Sequence, residues 1–446
     1  MTEKIPSKLK EQFGKLIDRR LMASLEACVR CGICAESCHY YQADPKPENT
    51  PFFRAEQVRS VYRSMFDPIG KIAPRWVGAT PPTQERMKEL SDMAFTNCTL
   101  CRRCTVNCPF GVDTAAIMRS VRAVASANGD APEILTQLAD ASLAREENMD
   151  LFKDIYLEQI DMMEEELQEL TGDPEAKIPV EVEGVDVLYV ALSGAHTILP
   201  AARLFHETET DWCLSMFEAA NYGLFVADTP KAKKITDRIV KEAKRLNAKR
   251  VVVTDCGHAY TTLRWEAPNW YGEPFPFEVT SLIELLAEWI TDGTLEVDPS
   301  ANPDSVTYHD SCNLGRVSGL IEQPRIILRA VCEDFRDMTP SGENNYCCGG
   351  GGGLVAITEA TEKRLLAGKP KADQIKATGA TFVAASCDNC RIQLGEIATN
   401  YKLGTQVTGL PELVLNALIP KERESATTES DQTARPIRSE QLVAGD

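Results

Sequence analysis

One stretch, NYCCGGGGG at residues 345–353, decides how the C-terminal half of the chain folds. Its neighbouring thiols, Cys347 and Cys348, do not pair readily with each other because adjacent side chains diverge. The five glycines leave the backbone free to fold around a bulky group. The other cysteines of this set are Cys312, Cys387 and Cys390. Five thiolates exceed the four that a cubic iron–sulfur cluster needs, so we predict an unusual cluster capable of chemistry at sulfur.

Eight further cysteines form two matching motifs nearer the N-terminus. They are Cys28, Cys31, Cys34 and Cys38, and then Cys98, Cys101, Cys104 and Cys108. In the bacterial ferredoxin spacing, three cysteines of a motif bind one four-iron cluster and the fourth binds the other cluster. A zinc site would leave that fourth cysteine unexplained. The first motif departs from the pattern because His39 replaces the proline that follows Cys108 in the second, which bears on the local turn more than on ligation.

The composition limits the compartment and the partners. Among 446 residues there are 66 acidic and 48 basic side chains, and a net charge of −18 argues against nucleic acid as a partner. Sixteen cysteines without a signal peptide or a membrane-length apolar run indicate metal or redox chemistry in the reducing cytoplasm. The basic amphipathic stretch in the first twenty residues fits either peripheral attachment to a membrane or an ordinary solvated helix.

The chain is predicted to be an α and α/β multidomain protein. A gap of 59 residues between the ferredoxin motifs, with helical periodicity, indicates helices between them. The predicted segments are an α-helical ferredoxin domain with two 4Fe-4S clusters at 1–172, a degenerate α/β cysteine-rich domain at 180–298, an intact one at 299–420, and a flexible tail at 421–446.

The two α/β segments are copies of one repeat. The strand beginning at Val187 matches the strand beginning at Val306, and Asn221-Tyr222 matches Asn345-Tyr346. Ligands in such units lie at the carboxyl ends of the strands, so we expect the two copies to face each other across a shared crevice. At the five ligand positions the first copy has Ser193, Gly223, Leu224, Cys256 and Ala259. Only one of the five cysteines is therefore retained there.

Together these motifs resemble the cysteine-rich, or CCG-domain, proteins joined to a helical two-cluster ferredoxin. Within that group the sequence is similar to the HdrD component of heterodisulfide reductase and to DsrK-like components of membrane redox complexes. The resemblance rests on both ferredoxin motifs, on the segment at 345–350 and on DCGHAY at 255–260. It implies one noncubane 4Fe-4S cluster, bound by Cys312, Cys347, Cys348, Cys387 and Cys390, and no second cluster of that kind in the first copy.

The resemblance also implies a function and partners. The noncubane cluster is where a disulfide or trisulfide-type sulfur linkage is reduced or formed, and two cubane clusters relay electrons to or from it. Expected partners are a membrane cytochrome of the b type or another electron-transfer subunit, and a thiol or disulfide substrate that a small sulfur-carrier protein can present. The protein is then expected on the cytoplasmic face of the membrane, held there through its partner subunits.

Cys256 and His258 are the candidate catalytic residues. The pseudo-symmetry directs them toward the shared crevice, and a histidine that titrates near neutral pH can supply a proton to a released thiolate. The plainer alternative is that His258 caps a turn after Gly257 and that Cys256 is a buried remnant. Of the other candidates, Cys213 and Cys332 are expected to be buried small side chains, His39 an ordinary histidine, and His309 either a donor to cluster sulfur or a packed strand residue.

A second class of function is retained. Electron-transfer subunits of flavin-linked 2-hydroxyacid and glycerol 3-phosphate dehydrogenases also join two ferredoxin motifs to CCG repeats, and their substrate chemistry occurs on another polypeptide. The chain has no GxGxxG fingerprint, so we expect no flavin in it under either hypothesis. The degenerate first copy favours the thiol–disulfide function, because it resembles a wall that faces the substrate.

Overall fold

The computed structural model describes residues 7–147, 149–192, 194–254 and 256–420. Its architecture is the predicted one, a helical N-terminal region followed by two small parallel sheets. Ser193 and the predicted tail at 421–446 lie outside the described residues. Within the described ranges, no helix is both long and apolar enough to cross a membrane.

The N-terminal region is built from short and medium helices. They are α1 Ser7–Leu16, α2 Arg19–Ala27, α3 Ile33–Ser37, α4 His39–Ala43, α5 Pro51–Phe66, α6 Pro68–Ile72, α7 Pro74–Val77, α8 Gln84–Thr96, α9 Arg103–Val106, α10 Thr114–Asn128, α11 Glu133–Glu147 and α12 Met149–Thr171. The longer helices begin where the sequence provides an N-cap. Thr50, Thr83 and Asp113 each accept a hydrogen bond from a backbone N–H of the first helical turn.

The C-terminal region alternates strands and helices. The strands are β1 Val187–Val190, β2 Trp212–Leu214, β3 Arg250–Val253, β4 Glu278–Ser281, β5 Ser305–His309, β6 Asp334–Arg336, β7 Phe382–Ala385 and β8 Gln406–Thr408. The helices are α13 Ala195–Glu207, α14 Thr229–Arg245, α15 Gly257–Thr261, α16 Ala267–Tyr271, α17 Leu282–Asp292, α18 Glu322–Val331, α19 Thr361–Ala367, α20 Lys369–Thr378, α21 Asp388–Asn400 and α22 Leu410–Ala417. The central strands are buried apolar runs, as expected for sheets covered on both faces.

The two sheets have the same topology. Their strand orders are β2-β1-β3-β4 and β6-β5-β7-β8, and all pairs within each sheet are parallel. Val187 pairs with Arg250 in the first copy, and Val306 pairs with Phe382 in the second. This register confirms the match between the strands at Val187 and Val306. The first copy has one residue more between its third strand and Cys256 than the second has before Cys387.

The two copies share one hydrophobic core. Leu286 of α17, in the first copy, and Leu328 of α18, in the second, belong to the same buried cluster, and the two helices pack against each other. The helical region is tied to both copies by Arg122 of α10, which is fully buried. Its guanidinium donates to the backbone oxygens of Cys98, Phe225 and Gly352. The ferredoxin motifs are therefore held directly against both α/β copies.

Candidate iron–sulfur centres and the crevice beside them

The structure brings the eight ferredoxin cysteines together as two groups of four. Cys108 lines the same cavity as Cys28, Cys31 and Cys34, whereas Cys38 lies with Cys98, Cys101 and Cys104. The first group reaches the surface, since Cys31 is exposed, and the second is deeper, since Cys38 and Cys98 are buried. The fourth cysteine of each motif thus lies with the other motif, as the ferredoxin spacing predicts.

Both ferredoxin motifs fold through the same backbone conformations. Arg30 and Leu100 stand two residues after the first cysteine, and Gly32 and Arg102 stand four residues after it; all four have φ between 57° and 84°. Left-handed residues within a loop turn backbone N–H groups toward a common concavity, which favours an anionic group. This local geometry fits a negatively charged cluster at each motif.

The five C-terminal cysteines converge at one buried position. Cys312 follows β5, Cys387 follows β7, and the adjacent pair comes from the loop before α19. The side chains are linked by hydrogen-bond contacts in the order Cys312, Cys347, Cys348, Cys390 and Cys387. Cys348 Sγ and Cys390 Sγ are 3.5 Å apart. Two strand ends, one loop and the first turn of α21, which carries Cys390, therefore deliver five thiols to a single site.

The glycines beside this site are required by close packing. A Cβ on Gly349 would lie 2.8 Å from the carbonyl oxygen of Arg364, and a Cβ on Gly350 would lie 2.9 Å from Cβ of Gln393. A Cβ on Gly351 would lie 3.1 Å from the carbonyl oxygen of Thr99. The chain can thus pass between the ferredoxin motif and the second copy only as glycine. Five buried thiols beside this glycine loop fit an iron–sulfur cluster.

The second ferredoxin motif touches the five-cysteine site directly. Cys101 and Cys347 are in hydrogen-bond contact, and a ring nitrogen of His39 lies within 4.8 Å of both sulfurs. Hydrogen bonds from Cys101 and Cys312 lower the pKa of Cys347, which favours its thiolate. His39 is buried, which agrees with the core alternative of the prediction that it is an ordinary surface or core histidine, and it also hydrogen-bonds Cys101. Its replacement of the expected proline was the feature of the sequence that could have identified it.

Two arginines stabilise the contact between the second ferredoxin motif and the five-cysteine site. Arg103 donates to the carbonyl oxygen of Asn344 at 2.7 Å, and its guanidinium lies 3.9 Å from the centre of the Tyr346 ring. Arg316, just after Cys312 in the second copy, donates to the carbonyl oxygen of Cys101 at 2.7 Å. The residues flanking the cysteine pair are therefore packed against the ferredoxin motif.

The retained cysteine of the first copy lies against the second copy. Cys256 is buried. Burial is the main cause that raises the pKa of its thiol to about 12, and the nearby Cys387 adds to it, so Cys256 stays a thiol at neutral pH. The backbone N–H of Gly257 hydrogen-bonds Cys387. A Cβ on Gly257 would lie 2.9 Å from Cβ of Asn313, so only glycine allows this approach. The predicted meeting of the two copies therefore occurs at these residues.

His258 lines a separate crevice where the ferredoxin motif and the two copies meet. This crevice has a volume of about 80 Å³ and is bordered by Thr99, Phe225, His258 and Asn313, the residue after Cys312. Neither ring nitrogen of His258 has a hydrogen-bond partner among the described residues. Burial lowers the pKa of His258 to about 4, so the expectation that it titrates near neutral pH is wrong. It is a neutral imidazole facing the crevice.

A polar network absent from the sequence-based predictions lies behind the cysteine pair. The amide of Asn345 donates to the carbonyl oxygen of Asp310 at 2.7 Å and to Nδ1 of His309 at 3.3 Å, and its oxygen accepts from Lys371. Burial lowers the pKa of His309 to about 3 and that of Lys371 to about 7. A ring nitrogen of His309 lies within 4.8 Å of the sulfurs of Cys348 and Cys390, so this histidine lies at the five-cysteine site. Lys371 lies on the buried face of α20 with Ile375, and its residue type gives no signal of that burial.

Comparison with known proteins agrees with both parts of this arrangement. Residues 24–112 match the 4Fe-4S dicluster domain, and residues 306–395 match the cysteine-rich domain. The chain is 30% identical to the Hdr-like menaquinol oxidoreductase iron-sulfur subunit 2 of Archaeoglobus fulgidus, over 93% of this chain and 84% of the relative. It is 25% identical to the HdrD component of the dihydromethanophenazine:CoB–CoM heterodisulfide reductase of Methanosarcina mazei, over 89% of this chain and 95% of the relative.

A dicluster ferredoxin region and a cysteine-rich domain in one chain define an iron–sulfur redox subunit. The extent and identity of the match are sufficient to assign the family. The chain belongs to the HdrD-like iron–sulfur proteins, whose members are oxidoreductase subunits of heterodisulfide reductase-like complexes. As a subunit of such a complex, it has partner subunits.

Proposed function

We propose that the protein is the catalytic subunit of its complex and that it reduces or forms a disulfide or trisulfide-type sulfur linkage at the five-cysteine site. One observation carries this proposal. The five buried cysteines touch a ferredoxin motif through Cys347 and Cys101, and Asn313, the residue after Cys312, borders the crevice lined by His258. A site that lies next to both an electron supply and a small crevice lined by a histidine suits redox chemistry on a bound substrate.

The proposed cofactors are two cubane 4Fe-4S clusters and one noncubane 4Fe-4S cluster, with no flavin. Their ligands are the two groups of four ferredoxin cysteines and the five C-terminal cysteines. When bound, the noncubane cluster supplies electrons to the substrate sulfur or removes them from it. The exposed Cys31 marks the first ferredoxin group as the place where a partner delivers or receives electrons. The deeper group, with Cys101, connects it to the five-cysteine site.

The chain's own residues handle the protons. Cutting a disulfide consumes two electrons and two protons and yields two thiols, and forming it releases the same. His258, as a neutral imidazole, can donate an N–H hydrogen bond to a sulfur in the crevice and so stabilise a thiolate as it forms. Cys256 remains a thiol beside Cys387 and keeps the wall of the first copy uncharged. These are the roles proposed for the two candidate catalytic residues.

The proposed partners follow from the relatives. The Archaeoglobus relatives are named menaquinol oxidoreductase subunits and the Methanosarcina relative a heterodisulfide reductase subunit. We therefore propose a membrane cytochrome of the b type, or another electron-transfer subunit, as the redox partner. The substrate is a thiol or disulfide, free or carried by a small sulfur-carrier protein. Attachment through such partners would hold the protein on the cytoplasmic face of the membrane.

The test is disulfide turnover by variants that break the two sides of the site separately. The noncubane cluster proposed at the five-cysteine site is called the special cluster below. With reduced viologen as donor and 2-hydroxyethyl disulfide as substrate, Cys347→Ser should abolish turnover and the paramagnetic signal of the special cluster, because it removes a thiolate from the site. Cys101→Ser should impair electron delivery but leave that signal intact. Unchanged turnover in Cys347→Ser would contradict the proposal and favour a subunit that only transfers electrons to a flavin-linked dehydrogenase.

A further inference from the structure

Lys371 is a fully buried lysine beside the five-cysteine site. Its exposed fraction is 0%, and its ammonium donates to the side-chain oxygen of Asn345 and to Sδ of Met338 at 3.3 Å. Through space, the thiolates of Cys348, Cys347 and Cys390 act on it in the direction that favours its charged form. The lysine therefore lies near the cysteine pair and is attached to the segment that carries it through Asn345.

The charge of Lys371 is not neutralised by a carboxylate. The nearby Asp310 is engaged by Arg325, whose guanidinium donates to both of its oxygens at 2.9 and 3.0 Å. Among the residues that the structure describes, no carboxylate lies within ion-pair distance of Lys371. A buried ammonium without a counter-charge costs several kcal/mol. The negative groups that act on it through space are the Asp310 carboxylate first and then the thiolates of the cysteine site.

The first copy lacks both the lysine and the site. Arg250 of the first copy and Phe382 of the second occupy equivalent positions on their strands. Lys371 lies 11 residues before Phe382, and the residue 11 positions before Arg250 is Ile239 of α14, whose exposed fraction is 2%. The asparagine is kept as Asn221, but its side-chain oxygen, which in the second copy accepts from the lysine, has no hydrogen-bond partner among the described residues. The lysine is thus missing from the copy that lacks four of the five cysteines, which supports a role at the cysteine site rather than in the α/β scaffold.

We propose that Lys371 is a positioning residue whose ammonium form places a positive charge at the five-cysteine site and shifts the one-electron equilibrium of that site toward the reduced state. Reduction adds one negative charge, and a buried ammonium stabilises that charge without transferring a proton. Asn345 holds the ammonium in place by accepting from it, and the same amide fixes the His309 ring. The proposal rests on the proposed cluster at this site, and it concerns how the cluster's reduction is set.

The test is a redox titration of the intact holoprotein, followed by electron paramagnetic resonance of the special cluster without substrate. Lys371→Met removes the charge and keeps the length of the side chain. We expect at least a tenfold shift of the one-electron equilibrium toward the oxidised state, which is a midpoint about 59 mV lower. The ferredoxin signals of the same sample should not move, since their cysteines lie farther away. Iron analysis of the same sample should give the wild-type content.

Lys369→Met is the matched control. Lys369 lies two residues earlier in α20 but is exposed and paired with Asp373, so its replacement should leave the midpoint unchanged. Lys371→Gln, which is neutral but polar, should lower the midpoint as Lys371→Met does, and it decides the matter if the methionine variant does not fold. A wild-type midpoint in the neutral variants with full iron content would overturn the proposal. A wild-type protein without a third cluster would instead contradict the proposed function.

Discussion

The two α/β copies have one scaffold but different interiors at the ends of their central strands. Both have the same strand order, and Tyr189 and Tyr308 occupy equivalent positions on β1 and β5. After these tyrosines the copies diverge. Where the second copy has His309, Asp310 and Lys371, the first has Val190, Ala191 and Ile239. The polar and charged residues around the site are replaced together with its cysteines.

This difference separates residues that build the fold from residues that serve the site. A parallel sheet needs buried apolar strands, and both copies supply them. Buried histidine, aspartate and lysine cost stability unless they are paired, so a copy without a cluster gains from apolar replacements. The first copy packs against the second through α17 and α18, and its Gly257 loop hydrogen-bonds Cys387. Its proposed role as a wall of the second copy's site can therefore be tested apart from its role in the fold.

The largest expected difference between the copies is in iron content. Two cubane clusters and one noncubane cluster require about twelve irons per chain. Cys348→Ser in the second copy should lose about four of them, because it removes a thiolate from the centre of the five-cysteine series. Cys256→Ala in the first copy should lose none. Iron analysis of anaerobically purified protein measures both variants.

Two outcomes would break this comparison. Loss of iron from Cys256→Ala would mean that the first copy also binds metal. A wild-type content of about eight irons, with the five C-terminal cysteines readily alkylated, would mean that the second copy binds none.

The second largest expected effect is on disulfide turnover, and it tests whether the first copy contributes residues that face the substrate. His258→Ala should retain all iron but lose on the order of a hundredfold in disulfide turnover, the scale for removing a hydrogen-bond donor that stabilises a developing negative charge. Burial lowers the folded-state pKa to about 4, so His258 is neutral at every pH above that value. The pH profiles of wild type and variant should therefore run parallel between about pH 6 and 8.

The control for this variant is His206→Ala. His206 also belongs to the first copy, but it lies near Asp173 and does not border the crevice. It should keep full turnover. Full turnover in His258→Ala as well would reduce the first copy to a structural support and would favour the electron-transfer function.

The sequence was sufficient for those features that depend on spacing. The ferredoxin motifs, the cysteine-rich repeat and the strands at Val187 and Val306 were predictable because ligand spacing and buried apolar runs are local. The expectation that Cys213 and Cys332 are buried is also confirmed. Cysteine ligation and the domain limits stay predictions.

Features that depend on tertiary surroundings were not predictable in the same way. The pKa of His258 is set by burial at a junction of three segments, and spacing contains no information on that burial. Lys371 and Arg122 would be placed on solvent-exposed faces by their residue type, yet both are fully buried. Their roles become visible only when the partners, Asn345 for the lysine and backbone oxygens for the arginine, are known.

The smallest expected effect tests the scaffold that the copies share. The hydroxyl of Tyr189 donates to the carbonyl oxygen of Thr197 at 2.8 Å and lies 2.9 Å from Oγ1 of Thr254, and the hydroxyl of Tyr308 lies 3.1 Å from Oγ of Ser386. Each phenylalanine variant should lose about 1 kcal/mol of stability, and Tyr189→Phe more than Tyr308→Phe because it also leaves a buried carbonyl without that donor.

The shift in the midpoint of thermal unfolding, measured with iron content unchanged, provides this test. If these tyrosines serve the scaffold, neither variant should alter the signal of the special cluster. A loss of iron in Tyr308→Phe alone would place that hydroxyl with Lys371 and His309 among the residues that serve the site. The residues of β5 that serve the site would then begin at Tyr308. The difference between His309 and its equivalent Val190 places that beginning one residue later, at His309.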